Sequence, residues 1–133
     1  MKNLLGKIIA SLALLGLASS TIAQTLYWDN NGATAGAGAT PSGVWGTTNA
    51  WNSVADGTGS IVGWTAGATA VFSAGTDAGT HNVHVANGQT ITIGGLTVEE
   101  GTPSFLSTNG FLSLQAGNVS FDIGSGRTAN LRT

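Results

Sequence analysis

What most limits the fold of this chain is how often its apolar segments are interrupted. From Ala68 onward it reads Ala70-Val-Phe72, Val83-His-Val85, Ile91-Thr-Ile93, Leu96-Thr-Val98, Phe111-Leu-Ser-Leu114, Val119-Ser-Phe-Asp-Ile123 and Ala129-Asn-Leu131, with glycine or Asn-Gly in the gaps. Such pieces are too short for helices, and their apolar residues alternate with period two instead of recurring every three or four positions. They are rich in β-branched and aromatic residues, so each is expected to be a strand. The 21 glycines among 133 residues, more than twice the usual share of about 7%, supply the turns. High glycine with low charge also marks disorder, but disordered chains lack this alternating pattern.

The turns decide how the strands are arranged. Asn87-Gly88, Gly94-Gly95, Gly101-Thr-Pro103, Asn109-Gly110, Gly117-Asn118 and Gly124-Ser-Gly126 all suit backbone at positive φ. Asn87-Gly88 and Asn109-Gly110 have the composition of two-residue hairpins. Strands of three to five residues paired only in twos are marginal, however. Stacked as rungs of a parallel β-solenoid, each gains a partner above and below, and the inward apolar residues form one column. Ile93, Leu112 and Leu131 recur every 19 residues, which is near the length of one coil of three short strands. The expected fold is therefore all-β: a short right-handed parallel β-helix over 68–133, preceded by an irregular Trp/Gly-rich capping region over 24–67. That region holds the apolar islands Leu26-Tyr-Trp28, Val44-Trp45, Trp51 and Ile61-Val-Gly-Trp64.

Residues 1–23 have a different texture. Lys2 and Lys7 precede the apolar run Ile8 to Ala18, and Thr21-Ile-Ala23 closes the segment with small residues at its last and third-last positions. This is the order of a helical, cleavable export signal, with cleavage between Ala23 and Gln24. The run is shorter than the roughly 20 residues that span a bilayer and is apolar on every side, unlike an amphipathic core helix. A secreted or cell-surface location is expected, with no stable membrane span in the mature chain. Cleavage leaves Arg127 and Arg132 against six carboxylates, a net charge of −4. Nucleic-acid binding, which needs clustered Lys and Arg, is not expected. With no cysteine, an exported domain of this size gains nothing from disulfides.

Taken in order, Tyr27-Trp-Asp-Asn-Asn-Gly32, Gly43-Val-Trp45, Asn49-Ala-Trp51, Trp64-Thr-Ala-Gly-Ala-Thr-Ala-Val-Phe-Ser73 and Ile93-Gly-Gly-Leu-Thr-Val98 resemble the N-terminal start of secreted proteins with autotransporter-associated β-strand repeats. The resemblance covers about Leu26 to Thr133. It implies a passenger-type right-handed β-helix of bacterial, adhesin-like character, with the Trp-rich stretch as the first, capping coils. Members of that family run to many hundreds of residues, so the chain is expected to be truncated within a coil. Its open C-terminal edge would be covered by further coils or by self-association.

Few residues suggest chemistry. His81 and His84 lie three apart, a spacing that puts them on opposite faces of a strand and away from a common ion; both are expected to be exposed or half-exposed. Asp29-Asn-Asn-Gly32 has part of a calcium-loop composition without the later Glu, which favours an Asx turn. Glu99, Glu100 and Asp122 are the acids nearest one another among the expected rungs, but adjacent Glu residues at a turn face water, and no base or nucleophile accompanies them. Asn118-Val-Ser120 matches a glycosylation acceptor. No cofactor, metal site or catalysis is expected. Tyr27, Trp28, Trp45 and Trp51 support two ideas: aromatic plugs for the solenoid's open end, or a platform on which sugar rings stack. The plug is preferred because the tryptophans lie together ahead of the regular rungs. The main functional expectation is an exported structural, surface-display segment; the alternative is a small secreted carbohydrate-binding module.

Overall fold

The computed structural model describes residues 23–117 and 119–132, and all regular structure within them is β. The expected export signal therefore lies outside the described residues except for Ala23, as does Asn118 of the glycosylation pattern.

Twelve strands follow in order. They are β1 (Thr25–Trp28), β2 (Gly43–Trp45), β3 (Trp51–Asn52), β4 (Ile61–Val62), β5 (Thr69–Phe72) and β6 (Thr80–Val85). The rest are β7 (Thr90–Ile93), β8 (Gly95–Val98), β9 (Thr102–Leu106), β10 (Phe111–Leu114), β11 (Ser120–Ile123) and β12 (Asn130–Arg132). From β5 onward, strands consecutive in sequence belong to different sheets. One sheet runs β11-β8-β5-β1-β3-β4, a second β12-β9-β6-β2, and a third pairs β10 with β7. Every pairing is parallel except β1 with β3 and β3 with β4. Both antiparallel pairings lie wholly within 24–67, yet β1 and β2 of the same stretch pair parallel with β5 and β6. Residue 67 is therefore no break in the sheets.

Registers align the side chains in rows. Leu26, Ala70, Leu96 and Phe121 follow one another across the first sheet, and Val83, Phe105 and Leu131 across the second. Ile91 faces Leu112 and Ile93 faces Leu114 in the third. Leu26, Val83 and Ile93 belong to one buried cluster, so the three sheets turn their apolar rows onto a common core. The alternation that made these segments strands also aims them inward: β6 alternates exposed and buried along its whole length.

Two expectations are corrected here, the 19-residue period and the positive φ of several turn glycines. The 19-residue spacing is not the register: Leu131 lies against Phe105, not beyond Leu112. Partners are 21 residues apart between β7 and β10 and 26 apart between β5 and β8, because the turns differ in length. The Asn-Gly pairs close no hairpins: Asn87-Gly88 leads from β6 to β7 and Asn109-Gly110 from β9 to β10, each time into another sheet. Gly94, Gly95, Gly110 and Gly124 are not at positive φ. Three of them let backbones meet instead: a Cβ on Gly110 would stand 2.5 Å from the Ala86 carbonyl oxygen, one on Gly124 3.0 Å from that of Val98, and one on Gly94 would collide with that of Gly67.

Candidate functional site

The densest feature is an aromatic cluster where β1, β2, β3 and β5 meet. Trp28, Trp45, Trp51 and Phe72 are fully buried, and Trp64 packs against them partly buried. Ring centroids are 5.1 Å apart for Trp28 and Trp51, 5.0 Å for Trp45 and Trp51, and 4.7 Å for Trp51 and Trp64. Of these three pairs only Trp28–Trp51 is edge-to-face, at 82°, a geometry that adds about 0.5–1.5 kcal/mol beyond area burial. The Trp28 indole donates to the Pro41 carbonyl and that of Trp64 to Thr92, 3.1 Å away. The indole N–H groups of Trp45 and Trp51 have no oxygen partner.

This burial corrects the idea of a sugar-stacking platform. Trp28, Trp45 and Trp51 have no exposed face, and a sugar ring stacks only on an open one. Tyr27 alone of that set is half-exposed, in register with Val71, Thr97 and Asp122, of which Val71 is buried.

Beside the cluster is a buried polar knot that sequence reasoning missed. Asp29 forms the expected Asx turn, with the Asn31 amide donating to Oδ1 at 2.9 Å. Its carboxylate is nevertheless completely buried, and Oδ2 accepts from Asn52 Nδ2 at 2.9 Å. The same Asn52 amide donates to the Gly57 and Gly59 carbonyls, and its oxygen accepts from the Val54 amide. The knot therefore fixes the loop between β3 and β4 to the end of β1. Nothing in the local pattern around Asn52 marks it out; only the antiparallel pairing of Trp51 with Trp28 brings it to Asp29.

The remaining candidates stay apart. His81 and His84 do face opposite sides, but His81 is buried, which corrects its expected exposure. Its Nδ1 donates to the Gly79 carbonyl at 2.9 Å and its Nε2 has no partner. Burial lowers its pKa below the ordinary 6.5, partly offset by the Gly79 bond. Glu99 and Asp122 are exposed, while Glu100, between β8 and β9, accepts from Arg127, between β11 and β12, at 2.7 Å in an ion pair that joins two turns. Asp77 accepts from the Ala37 and Gly38 amides, tying two loops together. Asp56 is fully exposed, and hydrogen bonds from the Thr58 hydroxyl and amide lower its pKa. Among the described residues no group of three or more His, Asp or Glu is placed to hold a metal ion.

The other unusual region is the end of the three sheets formed by β10, β11 and β12. Phe111, Leu114, Phe121, Ile123 and Leu131 are exposed there, and Val85, Phe105, Leu106, Leu112 and Leu131 line an apolar cleft of about 260 Å³. Comparison of the chain with known protein families, with curated proteins and with solved structures finds no match.

Proposed function

We propose that this chain is the capped N-terminal part of an exported β-solenoid, whose role is structural display at or beyond the cell surface and not catalysis. The carrying observation is the register. Strands β5, β6 and β7 fall in the first, second and third sheets, and β8, β9 and β10 repeat that cycle in parallel beneath them. A chain that returns to the same three faces in the same order is winding as a coil, and right-handed crossovers are the rule for parallel strands. The aromatic cluster and the antiparallel strands β3 and β4 sit at the first turn of that coil, where a solenoid needs a plug. Supporting the location are the basic, apolar and small-residue order of residues 1–23 and the resemblance to autotransporter-associated repeats. A rod of this kind supplies extended surface and rigidity, which suits a stalk or adhesin.

The test is to express the full 133-residue sequence in an exporting bacterium, fractionate the cells and record the mass and far-UV spectrum of the product. The expected product lies outside the cytoplasm, starts at Gln24 and shows a β spectrum with one cooperative unfolding transition. An unprocessed cytoplasmic chain overturns the export reading, and a helical or coil spectrum overturns the solenoid.

A further inference from the structure

Asn-Gly occurs at Asn31-Gly32, Asn87-Gly88 and Asn109-Gly110, and Asp-Gly at Asp56-Gly57. In such a pair the backbone nitrogen of the glycine can attack the side-chain carbonyl carbon of the residue before it, because no Cβ hinders the approach. The fold has to permit this in two ways. The glycine N–H must be free to give up its proton, which a hydrogen bond opposes by holding it on a partner. The space around the glycine must also admit the five-membered ring that forms.

These pairs look alike in sequence and differ in both respects. Gly110 donates its N–H to the Ser107 hydroxyl at 2.8 Å and is walled in, since a Cβ there would lie 2.5 Å from the Ala86 carbonyl oxygen. Gly57 donates to the Val54 carbonyl at 3.1 Å, and a Cβ on it would lie 2.7 Å from the Gly36 carbonyl oxygen. Gly88 has open space but donates to the Asn109 carbonyl at 3.2 Å. Gly32 alone meets both conditions: its N–H has no partner among the described residues, and nothing lies within 4 Å of where a Cβ would stand.

Asn31 is exposed and begins a loose span. Its own N–H is fixed to Asp29 Oδ1 at 2.9 Å. The loop is next anchored at Gly36, which donates to the Asp56 carbonyl at 2.7 Å, and at Ala37 and Gly38, held by the Asp77 carboxylate. Between these anchors the amides of 32–35 make no hydrogen bond to described residues. Gly32 can therefore swing onto the Asn31 side chain without breaking an anchor.

We propose that Asn31 is a site of spontaneous deamidation, a reading independent of the solenoid. The Gly32 nitrogen loses its proton to solvent and bonds to Asn31 Cγ; the Cγ–Nδ2 bond breaks, and ammonia leaves a cyclic imide. Water then adds to one of the two imide carbonyls and opens the ring. One opening gives aspartate at position 31, the other isoaspartate, in which the backbone runs through the former side chain. Nothing is oxidised or reduced, and water is the only co-reactant. Either product adds one negative charge to the loop between β1 and β2. The loose span absorbs the extra backbone methylene of isoaspartate, so the Asp29–Asn52 knot and the aromatic cluster stay as they are.

The test holds the folded product of the full 133-residue sequence in warm, mildly alkaline buffer, beside a second sample kept unfolded in urea. Aliquots are digested and each Asn-Gly peptide is followed by mass spectrometry. In the folded chain the Asn31 peptide is expected to gain one mass unit first and to split into aspartate and isoaspartate forms. Asn87 should trail it about fivefold, the factor by which one ordinary backbone hydrogen bond holds its N–H closed, and Asn109 should trail further. In urea the three rates should converge, because the anchoring bonds are gone. Asn31→Ser removes the fast site and leaves the other two unchanged. Equal rates at the three pairs in native buffer, a lead by Asn87 or Asn109, or an Asn31 lead that persists undiminished in urea overturns the proposal. A near-UV tryptophan spectrum that changes in step with Asn31 modification overturns the claim that the loop absorbs it.

Discussion

The side chains that hold this molecule together are those whose burial is at odds with their chemistry. Asp29 and Asn52 are polar and fully enclosed, a combination stable only because each donor and acceptor of the knot is matched; an unmatched buried carboxylate would cost several kcal/mol. His81 is less completely matched, and it titrates. Its pKa is lowered in the folded state, first by burial. Above about pH 6.5 both folded and unfolded chains carry it neutral, and its contribution to stability is complete. Below that, the unfolded chain binds a proton that the folded chain refuses, so stability falls with pH until the lowered folded value is reached. The slope approaches about 1.4 kcal/mol per pH unit at most. Asp56, lowered from 3.8, acts in a separate and more acid window. Urea midpoints at pH 7.5 and pH 5.5 are therefore expected to differ for the wild type. They should nearly coincide for His81→Asn, which keeps a donor toward Gly79 and does not titrate. Equal pH sensitivity in both chains would remove His81 as the cause.

Among the elements, the strands rich in β-branched and aromatic residues were legible from alternation and punctuation, because a half-buried strand must alternate. β9 was not. Gly101-Thr-Pro103 carries turn composition, yet Thr102–Leu106 is a strand with Pro103 buried in it. Proline is tolerated there because β12 begins to pair with β9 only at Ser104, so Pro103 owes a ladder bond to one neighbour at most. The antiparallel β3 and β4 were also hidden, since two-residue strands leave no pattern. Turn glycines looked alike in sequence and differ in the fold. Gly88 and Gly101 share φ of 73°, a region costly for any other residue, but a Cβ on Gly88 would meet nothing, whereas one on Gly101 would lie 2.5 Å from the Gly79 carbonyl oxygen. Gly88→Ala is expected to cost about 1 kcal/mol from backbone strain alone. Gly101→Ala should cost roughly 1–3 kcal/mol more, because two stacked backbones have to separate. Denaturant midpoints of the two variants isolate that difference, and equal losses would mean that the corner is looser than its geometry.

Over the whole molecule, the burial of large side chains is graded along the stack of sheets. The largest buried side chains, Trp28, Trp45, Trp51 and Phe72, gather at the end of the stack nearest β1, while the rows finish exposed at Phe121, Ile123 and Leu131. In a fold where each strand leans mainly on its neighbours, stability is a chain of local terms, and opening starts where those terms are weakest. Only the order of the rows makes this visible; composition alone distributes glycine and apolar residues along the whole length. Hydrogen exchange is therefore expected to show a gradient along the stack. Amides of β10, β11 and β12 should exchange first, β7, β8 and β9 later, and β1, β5 and β6 last. Uniform protection from β1 to β12 would show a single cooperative unit that the aromatic end does not dominate. The gradient thus weighs the aromatic cluster at one end of the stack against the exposed rows at the other.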